Sequence, residues 1–371
     1  MSHTAGQFLK PSTAVSRYGD HCKVETTACA SAESYNEEET DHEKATVYLV
    51  YERQQSRRFC INLHTFNLEE NKGGLLEIPR SLQTTSSSIN VCASAVALGS
   101  VIYLIGGCCG HPINVCYEYI NVPHVHNAVV YFDTLKPDNG WQEAARMKSN
   151  RNLPTVVAVD GKIFVFGGVF NPGSLSQTPT PPLAEVYDPK DNSWSSLPDH
   201  PCLKNPRIFM PAAVHIISPT DKRILFQPDM NSLYSFNLRD FSWSLIDENF
   251  GYWNDTGAVK DDILYIYSTK FKQVHGYDLI NKTRFDVVMT FFPGLAHNIQ
   301  TAVLHNVGNG KLCLLYSDYD DDGSKIIICN TFKIRKEMNG DKLLHLTAIK
   351  VSDTNSFITA HTFWEMNVLM L

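Results

Sequence analysis

The chain has 371 residues, enough for one large domain or two ordinary ones, and its 43% hydrophobic against 19% charged residues can bury a sizeable core. A net charge of −7 and a pI near 6.0 argue against a nucleic-acid-binding surface as the main function. No apolar stretch is long enough to span a membrane, and the opening MSHTAGQFLKPSTAVS lacks the apolar run of a secretory signal. Ten cysteines without a CxxC spacing then read as reduced thiols, and the expected location is the cytoplasm, the nucleus or both.

Residues 1–44 hold one leucine, Leu9, no isoleucine, and the acidic run EEETDHE at Glu37 to Glu43. Such a segment cannot offset its ordering entropy by burial, so a disordered acidic tail is expected there. From Ala45 onward short apolar runs alternate with Gly, Pro, Asn and Asp clusters, which is an all-β pattern. Three strands, TVYLVYE, RFCINLHTFN and GLLEIP, fill 45–80. A repeat follows. SAVALGSVIYLIGG (Ser94 to Gly107) is matched by VVAVDGKIFVFGG (Val156 to Gly168), and VVYFD, containing Tyr131, by EVYDP, containing Tyr187. Each unit closes on an aromatic residue, Trp141, Trp194, Trp243 and then Phe285, in steps of about 50 residues. The units expected are 90–147, 154–198, 209–247, 251–289 and 298–352. The stretch 356–367, with strand character, is left to supply the first strand missing from 45–80.

The paired glycines Gly106-Gly107 and Gly167-Gly168, the Tyr-Asp pieces and the closing tryptophans resemble kelch repeats, and the degenerate later units resemble most the plant F-box/kelch-repeat superfamily. That resemblance implies a six-bladed kelch-type β-propeller over 45–371, its ring closed by a C-terminal strand in the first blade. The structural motif residues are then Gly106, Gly107, Tyr131, Trp141, Gly167, Gly168, Tyr187, Trp194 and Trp243. In this reading the doublets allow close backbone approach, and the aromatic residues wedge between blades. The resemblance also implies protein recognition linked to ubiquitin-ligase adaptors. Residues 1–44 lack the leucine-rich helical period of an F-box, which puts recruitment of a ligase scaffold in doubt.

Chemical motifs are scarce. CCGHPINVC (Cys108 to Cys116) with His124 and His126 is rich in soft ligands, but its spacing fits no zinc knuckle and it reads as an interaction loop. DYDDDG (Asp318 to Gly323) begins like a calcium loop, but Cys329 stands where the bidentate glutamate belongs, so a hairpin tip is expected. No catalytic, cofactor-binding or metal-ligating residue is assigned, and no nucleic-acid or membrane partner is expected. His215, His275 and His305 lie in strands and are expected to hydrogen-bond in the core or between blades. The candidates for partner binding are arginines, histidines, a lysine and aromatic residues at loop tips: Arg53, Arg57, Arg58, His111, Tyr117, Tyr119, His124, Arg207, Tyr252, Trp253, Lys270 and Phe271. A small-molecule or catalytic site at the mouth of a central channel stays open as the alternative.

Overall fold

A computed structural model describes residues 46–55, 58–67, 72–76, 93–107, 125–168, 182–201, 212–229, 231–251, 253, 257–268, 271–289, 302–319, 325–340, 342–351, 355–358 and 366–370. Two units divide the chain, Met1–Glu43 and Lys44–Leu371, and the described residues belong to the second. The expected acidic tail without an F-box, the Cys108 to His124 stretch and the tip of the DYDDDG segment lie outside the described residues.

The regular structure among those residues is all strand apart from one short 3-10 turn at Pro137–Asn139. No helix among them is long and apolar enough to cross a membrane. The first sheet contains β1 (Thr46–Gln55), β2 (Arg58–Asn67) and β3 (Lys72–Leu76). The second is β4 (Ser94–Leu98), β5 (Val101–Ile105), β6 (Val129–Asp133) and β7 (Gln142–Glu143). The third is β8 (Thr155–Val159), β9 (Lys162–Phe166), β10 (Ala184–Asp188) and β11 (Ser193–Ser196). The fourth is β12 (Ala212–Ser218), β13 (Asp221–Phe226), β14 (Leu233–Asn237) and β15 (Trp243–Asp247). Next come β16 (Gly257–Lys260), β17 (Ile263–Ser268), β18 (Gln273–Asp278) and β19 (Thr283–Met289). The last group is β20 (Ala302–Asn306), β21 (Lys311–Tyr319), β22 (Lys325–Asn339), β23 (Lys342–Lys350), β24 (Asn355–Ile358) and β25 (Met366–Met370).

Each unit is an antiparallel meander, and the first strands of successive units are neighbours: β25 with β4, then β4, β8, β12, β16 and β20 in turn. Second strands such as VIYLI, IFVF (Ile163 to Phe166) and ILYIY carry unbroken apolar runs because sheets cover both their faces, and their residues are nearly all buried. The fourth strand of the third unit alternates instead, turning only Trp194 inward. Asp160 and Gly161 both take positive φ, 53° and 72°, which is the type I′ turn that matches strand twist.

The glycine doublets do what close backbone approach requires. Gly106 has φ +75°, and a Cβ there would stand 2.4 Å from the Arg151 carbonyl oxygen; one on Gly168 would stand 2.7 Å from that of Asn152. The connection from β7 to β8 therefore threads between the two doublets: Gly107 N–H donates to Arg151 O at 2.8 Å, and Asn152 N–H to Gly168 O at 2.8 Å. The fully buried Arg151 guanidinium donates to the carbonyls of Gly167, Leu183 and Pro182 and, at 2.8 Å, to Glu185 Oε1. Glu185 in turn accepts the backbone N–H groups of Lys148 and Ser149.

The closing aromatic residues also act across unit boundaries. Trp194 Nε1 donates to Ala145 O at 2.8 Å, and Trp243 Nε1 to Pro198 O at 3.1 Å. In the fifth unit the register pairs Tyr277 with Arg284, as Tyr187 pairs with Trp194 and Phe236 with Trp243. Arg284, rather than Phe285, thus takes the tryptophan's place, and its guanidinium donates to Phe250 O and lies over the Phe250 ring. The expected alignment on Phe285 is corrected by one residue, because hydrophobic matching preferred the aromatic over the residue opposite the tyrosine. Where the fourth unit lacks a doublet, the Gln227 side chain bonds Gly251 O and Trp253 N–H instead.

The C-terminus also departs from expectation. The strand antiparallel to β1 is β25, Met366 to Met370, rather than 356–367. β22 runs past the region paired with β23 and leaves its edge at Ile326–Cys329 open, and β24 occupies that edge. β23 also pairs in parallel with β19, joining the last two units into one nine-stranded sheet.

Three measurements test these seams. Arg151→Ala leaves the Glu185 carboxylate buried without its cation, and chemical denaturation should show a loss of about 3–5 kcal/mol. Trp194→Ala should cost about 3–5 kcal/mol. Trp194→Phe, which keeps most of the fill and loses the bond to Ala145, should cost distinctly less; equal losses would mean that the indole N–H carries the effect. Burial pushes the His200 imidazole down to about 4, against a smaller upward pull from Asp229. The unfolded imidazole binds its proton near 6.5, so the unfolded chain holds the extra proton between these values. Stability should therefore fall as pH drops through that window, by up to about 1.4 kcal/mol per pH unit. His200→Gln should flatten this slope relative to wild type.

Candidate functional site

Antiparallel meanders place first-to-second turns at one end of each unit, and second-to-third turns and unit-to-unit connections at the other. Of the sequence candidates that are described, Phe271 stands at the second end, in the turn between β17 and β18. The described cavity, about 790 Å³, reaches the first end. Its walls are the first strands β8, β12, β16 and β20, contributing Ala158, Val214 to Ile217, Gly257 to Lys260 and Leu304 to Asn306, with the turn Asp261-Asp262 at its lip.

Charged ties cross the unit boundaries around this mouth. Lys222 Nζ pairs with Asp160 between the third and fourth units. His215 Nε2 lies 2.8 Å from Asp262 Oδ1 between the fourth and fifth. Asp261 Oδ2 receives Lys260 at 2.6 Å and, from the last unit, Lys336 at 3.4 Å; Asn306 Nδ2 returns to Val259 O. Burial raises the Asp261 carboxyl's proton affinity, but Lys260 and Lys336 outweigh it and hold the group below the usual carboxylate range. Asp261 and Asp262 both have positive φ, 50° and 59°. An aspartate at the second position of such a turn is strained where glycine would be relaxed, and the His215 tie holds it there.

The sequence candidates fare unevenly. Arg53 and Arg58 lie within β1 and β2, paired by register with Cys60 and Gln55, because only two residues separate those strands. Arg57, His111, Tyr117, Tyr119, His124, Arg207, Tyr252 and Lys270 lie outside the described residues. Phe271 is exposed, with its ring edge toward His275. Trp253 is a correction: it is 2% exposed, packed with Phe250, Leu264 and Tyr277, and so cannot be a surface anchor. Its indole presses against Gly257, where an added Cβ would stand 2.9 Å away. His215 bonds between units, His275 bonds Asp286 on the adjacent strand, and His305 lines the cavity. Sequence reasoning missed the mouth residues Asp261, Asp262, Lys260 and Lys336; a double aspartate at a tight turn was the available signal. Among the described residues no group of three His, Cys, Asp or Glu is placed to hold a metal ion.

The family described as FKB95, Kelch-repeats domain, matches residues 58–344. An F-box/kelch-repeat protein of Arabidopsis thaliana is 24% identical over 312 residues, covering 77% of this chain and 68% of the relative. Another from the same plant is 28% identical over 161 residues, covering 42% and 38%. An N-acetylneuraminate epimerase of Yersinia enterocolitica is 35% identical over 82 residues, covering 21% of each chain.

The strained turn yields its own test. Asp262→Gly loses the tie to His215 but relaxes the backbone, whereas Asp262→Ala loses the tie and keeps the left-handed penalty. The alanine variant should therefore be less stable than the glycine variant by about 1 kcal/mol in denaturant titrations.

Proposed function

The chain belongs to the kelch-repeat family described as FKB95, and from that membership we propose that it is a partner-recognition module of the F-box/kelch type, holding a protein for ubiquitin-ligase adaptors. Its kelch repeats and its F-box/kelch-repeat relatives carry this reading. The units form a six-bladed propeller, in which β25 supplies the inner strand of the first blade and latches the ring. Loops of the propeller present the partner surface in this reading. The protein works in the cytoplasm, the nucleus or both.

A second reading has one observation in its favour: the likeness to an epimerase, taken with a cavity that gathers His215, Asp262 and Lys260. On that reading the mouth binds or transforms a small molecule.

Affinity capture from plant extract with the full chain, followed by mass spectrometry, separates the two. A recurrent protein partner supports recognition, and ligase scaffold subunits among the captured proteins would support the adaptor link. Capture of no partner, together with turnover of a small molecule, would overturn it. Removing residues 366–371 should lower the melting midpoint and cause concentration-dependent association through the bared edge of β1. An unchanged midpoint would refute the latch.

A further inference from the structure

The hairpin-end mouth carries an uneven surface. β12 is bulged, its register against β13 shifting between Ile216 and Ser218. Consecutive residues of a regular strand face opposite ways, yet Ile216 is 60% and Ile217 46% exposed, and both line the cavity. A bulge re-aims side chains in this way, commonly beside binding sites. Val214, Val259 and Leu304 continue the apolar wall.

The charges above that wall are sorted by depth. In each pair the nitrogen-bearing side chain is the more covered partner: Lys222 at 23% exposure against 51% for Asp160, and His215 at 9% against 45% for Asp262. Lys260 at 19% and Lys336 at 30% both serve Asp261 at 53%. An approaching molecule therefore meets carboxylates first, with the cations tucked behind them.

We propose that this mouth docks a basic–apolar segment of the partner protein. One large apolar side chain would sit on Ile216 and Ile217, flanked by arginine or lysine facing Asp160, Asp261 and Asp262. The proposal rests on the partner-recognition reading and adds to it the face used and the chemistry recognised. Arginine suits the site well, because its fork can meet a carboxylate with two hydrogen bonds. An acidic segment would bring like charges together and is disfavoured. The cavity volume falls in the range that takes a few side chains.

The test uses the full chain and two short synthetic fluorescent peptides, one alternating leucine with arginine and the other leucine with glutamate. Fluorescence anisotropy should show binding of the first, weakened by salt, and little of the second. Ile217→Lys, at an exposed position, and the pair Asp261→Asn with Asp262→Asn should each weaken binding about tenfold or more, equivalent to about 1.4 kcal/mol. Leu135→Ala, outside the cavity lining, should leave it unchanged. Thermal melts identify any variant that fails to fold, and Ile217→Lys keeps the test decisive if the aspartate pair does. Equal affinity for both peptides, or no loss in Ile217→Lys, would overturn the proposal. If wild type captures a partner from extract and Ile217→Lys captures it equally, the mouth assignment falls and the recognition reading stands. If wild type captures no partner, the recognition reading falls and the proposal falls with it.

Discussion

The buried Arg151 guanidinium organises the boundary between the second and third units. A cation with no exposed surface is tolerable only when most of its donors find acceptors; here three carbonyls and the Glu185 carboxylate take the N–H groups of both terminal nitrogens, and Nε has no partner among the described residues. Those acceptors lie in the third unit, so satisfying the charge fixes the position of the connection that leaves the second. Once that connection is fixed, its carbonyl oxygens occupy the space where side chains of the doublets would project. Gly106 and Gly168 are glycine for that reason. Glu185 completes the loop by accepting two N–H groups from the same connection, so no polar atom of the carboxylate is stranded.

The other boundaries keep the same logic with different chemistry. An indole N–H reaches back to a carbonyl of the preceding unit from Trp194 and from Trp243, and a guanidinium does so from Arg284. A glutamine amide replaces the doublet's backbone bonds at Gln227. What repeats is a side-chain donor aimed at a backbone carbonyl across the unit boundary, and several residue types can supply one. The repeat can therefore decay in sequence while its hydrogen-bond geometry persists. Asn192 shows how closely the seam is knit: its amide oxygen accepts from both Tyr187 and the Ala145 N–H, while the Ala145 carbonyl accepts from Trp194.

At the mouth, boundary ties and candidate binding groups are the same residues. Lys222, His215 and Lys336 each cross to a carboxylate of a neighbouring unit, which holds the rim in one arrangement. Groups already positioned by such ties lose little further freedom when a partner arrives. The bulge in β12 and the left-handed Asp261-Asp262 turn are local departures from ideal strand geometry, and both stand at this rim.

The all-β class, the glycine doublets, Trp194 and Trp243 were legible from sequence because their signals are local; Trp141 was not, since the register sets Gln142 opposite Tyr131 and leaves Trp141 packed on Phe132. Apolar runs mark buried strands, Asp160-Gly161 marks a tight turn, and glycine doublets mark close approach. The binding candidates were less legible. Whether Trp253 is an anchor or a core residue depends on what packs over it, and Gly257 and Leu264 decide that from beyond its own segment. The identity of the strand against β1 likewise depended on β24 occupying the free edge of β22, a competition between two distant partners for similar strands. The pairing of Lys336 with Asp261 and of His215 with Asp262 joins residues far apart in the chain, and no period announces it. Sequence by itself determined which elements form, since periodicity and turn chemistry act over a few residues. Only the tertiary structure decided which faces are covered and which charges meet, because burial and ion pairing are set by neighbours the chain brings together last.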